Sequence, residues 1–129
     1  MIKKIFTKGS KLYSIINNVC PRCQLSEFWP KNNPYKNIFV KNGGDIGHCK
    51  NCNLKYEIEV GFWYGAMYVS YFLSILTALI SWFFLSFFCN KIELSSQYII
   101  ISTILIVSFP IIYFYSRLLW INIYISFRQ

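Results

Sequence analysis

Two long apolar segments without a charged residue constrain this chain more than any other feature. They run from Phe62 to Phe88 and from Tyr98 to Ser116. A helix needs about 20 apolar residues to cross a hydrocarbon core of about 30 Å, so both segments have the length of a membrane span. The rest of the chain is too small and too polar to cover two such helices in water. We therefore expect two transmembrane helices, at about 62–88 and 98–116.

The distribution of basic residues predicts the orientation of these helices. Of the 13 Lys and Arg residues, only Lys91, Arg117 and Arg128 follow residue 60. Basic flanks of membrane spans stay in the cytoplasm, and the connector between the two segments is neutral. We therefore expect a cytoplasmic head at residues 1–60 and a membrane part at residues 61–129. Both termini would then lie in the cytoplasm, with the short connector outside.

Four of the five cysteines form two Cys-x-x-Cys pairs in the head. The first pair is Cys20 and Cys23, and the second is Cys49 and Cys52. Stable disulfides are disfavoured in the reducing cytoplasm, where such pairs more often hold a metal or do redox work. Four thiolates suit a closed tetrahedral Zn²⁺ site, and an iron centre of the same geometry is less favoured. A dithiol redox pair is the third interpretation.

A bound metal would also explain how so small a head folds. A segment of about 50 residues with few aliphatic side chains buries too little surface to be stable alone, whereas a structural zinc contributes on the order of 10 kcal/mol. Each turn would place a residue at positive φ after its second cysteine, namely Gln24 and Asn53. The segments 37–40 and 54–60 resemble short strands, which predicts a small zinc-ribbon-like head.

Aromatic and small residues are concentrated where the first span begins. They suit a membrane–water interface and close helix packing, or a docking face for another membrane protein or a lipid. The candidate partner-binding residues are Gly61, Phe62, Trp63, Tyr64, Gly65, Tyr68 and Tyr71. After the second span, which Pro110 should kink, residues 117–128 predict a C-terminal amphipathic tail that lies as an interfacial helix.

Several other residues have simple interpretations. His48 is expected at the surface or beside the metal, Cys89 as a small apolar side chain, and Glu57 with Glu59 on a solvated strand face. The spans lack the acids and bases that proton relays and transporters use. The head shows no catalytic constellation and no small-molecule substrate site. We therefore expect a protein that is not an enzyme and does not transport by itself.

Three stretches of the sequence resemble a known bacterial family. "CPRC", "CKNCNLKYEIEVGFWYGAMYVSY" and "SRLLWINIYI" are similar to the membrane family catalogued as domain of unknown function 983, most closely to its Bacteroidetes branch. The resemblance covers roughly residues 8 to 128. It implies an inner-membrane protein with a zinc-ribbon-like head on two spans, and a metal held by Cys20, Cys23, Cys49 and Cys52. Some family members are encoded among haem–copper oxidase assembly factors, which implies a link to respiratory-complex biogenesis.

These observations support three hypotheses about function. The first is a non-enzymatic zinc-binding accessory or assembly protein of the inner membrane that docks on a partner complex. The second is a thiol redox or metal-delivery protein. The third is a membrane-tethered zinc ribbon that binds nucleic acid through its basic head and the aromatic residues Phe28, Trp29, Tyr35 and Phe39. The third is the least favoured, because membrane topology alone explains the positive charge.

Overall fold

The computed structural model describes residues 7–38 and 47–128. A short helix, α1, spans Lys11–Asn17, and a 3₁₀-helix spans Pro34–Lys36. Two long helices follow, α2 at Tyr64–Phe88 and α3 at Leu94–Tyr124. The tight turn at residues 89–93 folds α3 back along α2, so the two long helices form an antiparallel hairpin.

Both hairpin helices are long and apolar enough to cross a membrane. With 25 residues α2 measures about 37 Å, and with 31 residues α3 measures about 46 Å. The most apolar window of α2 is only 6% buried and that of α3 only 22% buried, so neither helix is covered as the core helix of a soluble protein would be. The two predicted apolar segments are thus confirmed as helices of spanning length.

The face of α2 that meets α3 is built from small residues. The hydroxyl oxygens of Ser70 and Ser116 lie 2.8 Å apart across the two helices. A Cβ atom on Gly65 would overlap the indole ring of Trp120, so only glycine lets this ring approach α2. The indole N–H of Trp120 donates to the Phe62 carbonyl over 2.8 Å. Small side chains therefore set the close approach of the two helices.

Pro110 lies inside α3 and is buried. A proline has no backbone N–H, so the carbonyl four residues earlier, at Ile106, loses its helical donor. The neighbouring Val107 carbonyl accepts a hydrogen bond from the Tyr35 hydroxyl over 2.7 Å. The 3₁₀-helix of the head is thereby attached to α3 close to the proline.

The head packs against the C-terminal half of α3. Trp29 is fully buried, stacks on Phe114 with ring centroids 5.7 Å apart, and directs its indole N–H at the Phe114 carbonyl over 3.4 Å. Leu118 and Ile121 are also fully buried and belong to the same cluster. From α1, Ser14 receives a hydrogen bond from the Asn122 side chain over 3.3 Å. Head and hairpin therefore share one hydrophobic core.

Two expectations about secondary structure are wrong. The described part of the head contains no strand longer than an isolated bridge, and 54–60 is irregular, with Val60 fully exposed and Ile58 45% exposed. Phe39 and Val40 of the other predicted strand lie outside the described residues. Residues 117–124 are the last turns of α3 rather than a separate interfacial helix. The reason is the shared core, because Leu118 and Ile121 face the head rather than lipid.

Candidate metal centre

The two Cys-x-x-Cys pairs converge on one point. The Sγ atoms of Cys20 and Cys52 are 3.8 Å apart. Those of Cys23 and Cys49 are 3.6 Å apart, and all four sulfurs lie within 4.8 Å of one another. A tetrahedral zinc with Zn–S bonds of about 2.3 Å separates its sulfurs by about 3.8 Å. The four cysteines therefore form a cluster with the size and donor set of a single metal site.

Backbone hydrogen bonds shape the first pair into a tight turn. The Cys20 N–H donates to the Ser26 carbonyl over 2.8 Å, and the Gln24 N–H donates to the Cys20 carbonyl over 3.0 Å. This closure requires Gln24 to adopt a left-handed conformation, with φ of 52°. Val19 and Glu27 pair as an isolated antiparallel bridge at the base of the turn.

The second pair repeats this arrangement. The Cys49 N–H donates to the Leu54 carbonyl over 2.9 Å, and the Asn53 N–H donates to the Cys49 carbonyl over 3.0 Å. Asn53 has φ of 57°, so both residues that follow a second cysteine are left-handed, as the sequence predicted. Two similar turns thus present their sulfurs to a common centre.

The Gln24 side chain explains why this left-handed position is not a glycine. Its carboxamide oxygen accepts a hydrogen bond from the Gly9 N–H over 2.6 Å. Its NH₂ group donates to the Ser10 carbonyl over 2.9 Å. Gln24 is only 3% exposed, so these bonds lie in the interior and tie the segment before α1 to the first turn. The side chain contributes contacts that compensate the backbone strain.

The protonation of the cysteines is uneven in the metal-free cluster. Burial opposes ionisation at Cys49, but hydrogen bonds from the backbone N–H groups of Cys52 and Asn51, and from neighbouring thiols, outweigh it and lower the pKa of Cys49 to about 6. Burial raises the pKa of the Cys20 thiol strongly and also raises the pKa of Cys52. Metal binding would ionise all of these thiols, since the thiolate is the ligand.

Tyr56 is a residue at the cluster that the sequence analysis did not single out. Burial and the nearby sulfurs of Cys20 and Cys49 raise the pKa of its hydroxyl, so it stays protonated. This buried hydroxyl has no well-formed hydrogen-bond partner in the part of the chain that the structure describes. An unsatisfied donor beside two sulfurs fits metal-bound thiolates, which are stronger acceptors than thiols. The sequence analysis interpreted 54–60 as a short strand, which does not indicate that Tyr56 lies beside the cysteines.

The candidate partner-binding residues differ in whether they pack within the chain or are exposed. Gly65 and Phe62 contact Trp120, and Trp63 lies 6.2 Å from the Phe28 ring, so these residues serve packing within the chain. Gly61 has φ of 80° in the turn that leads into α2. Three residues of the set stay exposed on one side of α2, and they are Tyr64, Tyr68 and Tyr71.

The other described residues that the sequence analysis named are not part of the cysteine cluster. His48 is half-buried and is not one of the four clustered ligands, and Cys89 lies at the far end of α2. Glu57 and Glu59 are exposed, as predicted for a solvated face. Phe28 and Trp29 are buried, which is incompatible with stacking on nucleic-acid bases, while Phe39 lies outside the described residues.

Comparisons of the chain with protein-family models, with curated proteins and with solved structures found no match. The resemblance to the bacterial membrane family stays a prediction.

Proposed function

We propose that this chain is a non-enzymatic zinc-binding protein of the bacterial inner membrane that acts as an accessory or assembly protein for a partner membrane complex. The observation that carries the proposal is the convergence of four cysteine sulfurs at the spacing of one tetrahedral ion. The proposal also places the head in the cytoplasm and the two long helices across the membrane, and it assigns the exposed tyrosine face to the partner.

Zinc is the metal that this donor set favours, with iron as the less favoured alternative. Four cysteines fill every position of a tetrahedral ion, so a zinc held here would act by cross-linking the head and would have no open position for a substrate. Cys20 and Cys49 anchor that ion in the shared core, beside Phe28 and Tyr56. The role that we assign to the metal is therefore structural.

The exposure of α2 and α3 supports insertion of the hairpin into a membrane. Large apolar side chains line the outer surfaces of both helices, including Phe83, Phe87 and Ile106. Lipid is the environment that such a surface requires. The basic residues of the head, together with the neutral turn at 89–93, favour a cytoplasmic head and termini.

The exposed tyrosines supply the proposed docking face. Tyr64, Tyr68 and Tyr71 are spaced four and three residues apart, so they share one side of α2. They lie on the first two turns of the helix, next to the head. A partner membrane protein would meet this tyrosine face and the head together.

Co-purification from native membranes in a mild detergent tests the docking proposal. We expect the wild-type chain to retain a partner complex and the triple variant Y64A/Y68A/Y71A to lose it. The matched control is F83A/F87A, which removes exposed aromatic rings at the opposite end of α2. A chain that always purifies alone at native expression levels, or equal recovery from both variants, would contradict the proposal.

Metal delivery is a second candidate function, and one observation favours it. Cys23 and Cys52 are partly exposed, whereas Cys20 and Cys49 are buried, so one edge of the cluster is accessible. A delivery protein requires a labile ion, so zinc that is retained through long exposure to chelators would exclude this candidate.

A further inference from the structure

The accessible edge of the cysteine cluster opens into a cavity of about 800 Å³. Cys23 and Cys52 line its wall, and the buried cysteines, Cys20 and Cys49, do not. This volume lies within the range of small-molecule sites. The metal centre thus has one side from which a small molecule can reach two of its ligands.

Three cationic side chains of the described part of the chain line the same cavity. Lys8, Arg22 and Arg128 come from three separate segments of the chain. The Arg128 N–H donates to the Arg22 carbonyl over 3.0 Å, which fixes the C-terminal segment on the first cysteine turn. Among the residues that the structure describes, the lining includes no Asp or Glu, so these segments gather positive charge at this point.

The cations exceed the charge that the metal site itself would need. Zinc with four thiolates carries a net charge of about −2, and nearby cations stabilise it. Three cations beside this centre give the site and its cavity a net positive charge. The cavity also lies at the C-terminal end of α3, because two of its lining residues, Phe127 and Arg128, follow Tyr124, the last residue of that helix. In the proposed orientation this end of α3 faces the cytoplasm, so the ligand of the cavity comes from there.

We propose that zinc enters and leaves the cluster through this cavity in exchange with an anionic small molecule that carries thiolate or carboxylate donors. This inference rests on the zinc site of the proposed function and develops its second candidate, metal delivery, in which the ion is labile. The cations attract the anionic donor, and its donor atom forms a bond to zinc as the bond to Cys23 or Cys52 breaks. The displaced cysteine leaves as a thiolate and takes a proton from water, so no electron is transferred.

The geometry also assigns the order of ligand loss. Cys20 and Cys49 are 0% and 1% exposed, in contact with the aromatic core, and cannot turn away without opening it. Cys23 and Cys52 face the cavity and have room to move. Exchange therefore begins at the cavity side and reaches the buried pair last.

The test compares two chelators of different charge on the full-length, zinc-loaded chain in a neutral detergent. EDTA is anionic at neutral pH, and 1,10-phenanthroline is neutral. The test variant is K8Q/R22Q/R128Q, and the matched control is K31Q/K36Q/K55Q, three exposed lysines that do not line the cavity. The readout is the ratio of the zinc-release rate with EDTA to the rate with phenanthroline, which cancels any common change in zinc affinity.

We expect the test variant to lower this ratio about tenfold, because converging charges raise the encounter rate of an oppositely charged ligand by about 10-fold or more. The control should leave the ratio within about twofold of wild type. An unchanged ratio in the test variant, or an equal fall in the control, would overturn the inference and leave the zinc site intact. A chain that never binds zinc would instead overturn the proposed function.

Discussion

Gln24 and Asn53 occupy equivalent left-handed positions but are held in different ways. Gln24 is 3% exposed and bonded through its side chain to Gly9 and Ser10. Asn53 is exposed and uses the tolerance of asparagine for positive φ. The sequence analysis predicted both conformations from the cysteine spacing, but the partners of the Gln24 side chain depend on a turn 15 residues earlier in the chain.

Replacing each residue by glycine separates the two roles. Gln24→Gly should destabilise the head by about 1–2 kcal/mol, because two interior hydrogen bonds are lost while the backbone strain is relieved. Asn53→Gly should be neutral or slightly stabilising, since it removes strain without losing a bond. Thermal unfolding of the two zinc-loaded variants measures the difference. Equal destabilisation by both changes would show that the Gln24 side chain has no special role.

The cysteines predict a steep pH dependence of zinc affinity. At neutral pH Cys49 is a thiolate, since its pKa is about 6, but Cys20 and Cys52 keep their protons because burial raises their pKa values. Zinc must displace at least two protons, so its affinity should fall by at least about 100-fold per unit as pH falls from 7 to 6. Below pH 6 Cys49 also becomes protonated and the slope steepens. Competition with a chromophoric chelator measures this slope, and a flat profile would contradict it.

Folding of the metal-free head depends on the same groups. The pKa of Cys49 is lowered on folding, so its thiolate stabilises the fold at neutral pH. That contribution is lost as the pH falls through about 6. Acid and zinc removal should therefore weaken the head in the same direction.

At the scale of elements, α2 has two faces with different functions. One face meets α3 through small residues such as Gly65 and Ser70, and the other exposes aromatic rings. The sequence predicted the helix because no charge interrupts its apolar run. It did not predict that Gly65 faces α3 while the tyrosines are exposed, because composition does not show which side of α2 meets α3.

Gly65 provides a direct test of the helix packing. Gly65→Ala should destabilise the hairpin by about 1–3 kcal/mol, because its Cβ overlaps Trp120 and displaces the bond from this indole to Phe62. Ser81→Ala is the control on the same helix, since the Ser81 hydroxyl donates to the Thr77 carbonyl within α2. Unfolding in detergent measures both variants, and a Gly65→Ala protein as stable as the control would refute the packing described.

The prediction of strands in the head was wrong for a different reason. In the segment 54–60, Tyr56 is buried in the core, but Ile58 and Val60 face solvent. The cysteine turn at Cys49 and Cys52 leads directly into this segment, and the Tyr56 ring packs against Phe28. These contacts hold the segment in place without a paired strand. The missing information was that the head packs on α3, which a local pattern does not encode.

At the scale of the whole molecule, residue 60 divides a basic part of the chain from an apolar part, but the two parts share one hydrophobic core. Trp29 and Phe28 of the head share one cluster with Phe114, Leu118 and Ile121 of α3. Leu118 and Ile121 lie on the turns of α3 beyond the predicted span, whereas Phe114 lies within that span. Charge and apolarity predicted a membrane hairpin, and the cysteine spacing predicted a metal-binding head, but neither predicted their common core.

A truncated chain of residues 1–60 should therefore fail to fold, even with zinc. Without α3, Trp29 and Phe28 lose the surface that buries them, and each exposed aromatic side chain costs about 2–3 kcal/mol. Amide chemical-shift dispersion by NMR of the zinc-treated fragment, beside that of the full chain, measures this. A well-dispersed spectrum from the fragment would show that the head is an independent domain.

Metal content measured by native mass spectrometry on anaerobically purified full-length chain tests the central claim most directly. We predict one zinc per chain, which is lost when Cys49 is replaced by serine and retained when Cys89, outside the cluster, is replaced in the same way. A wild-type chain that carries no metal, with its four head cysteines joined in disulfides, would contradict the account.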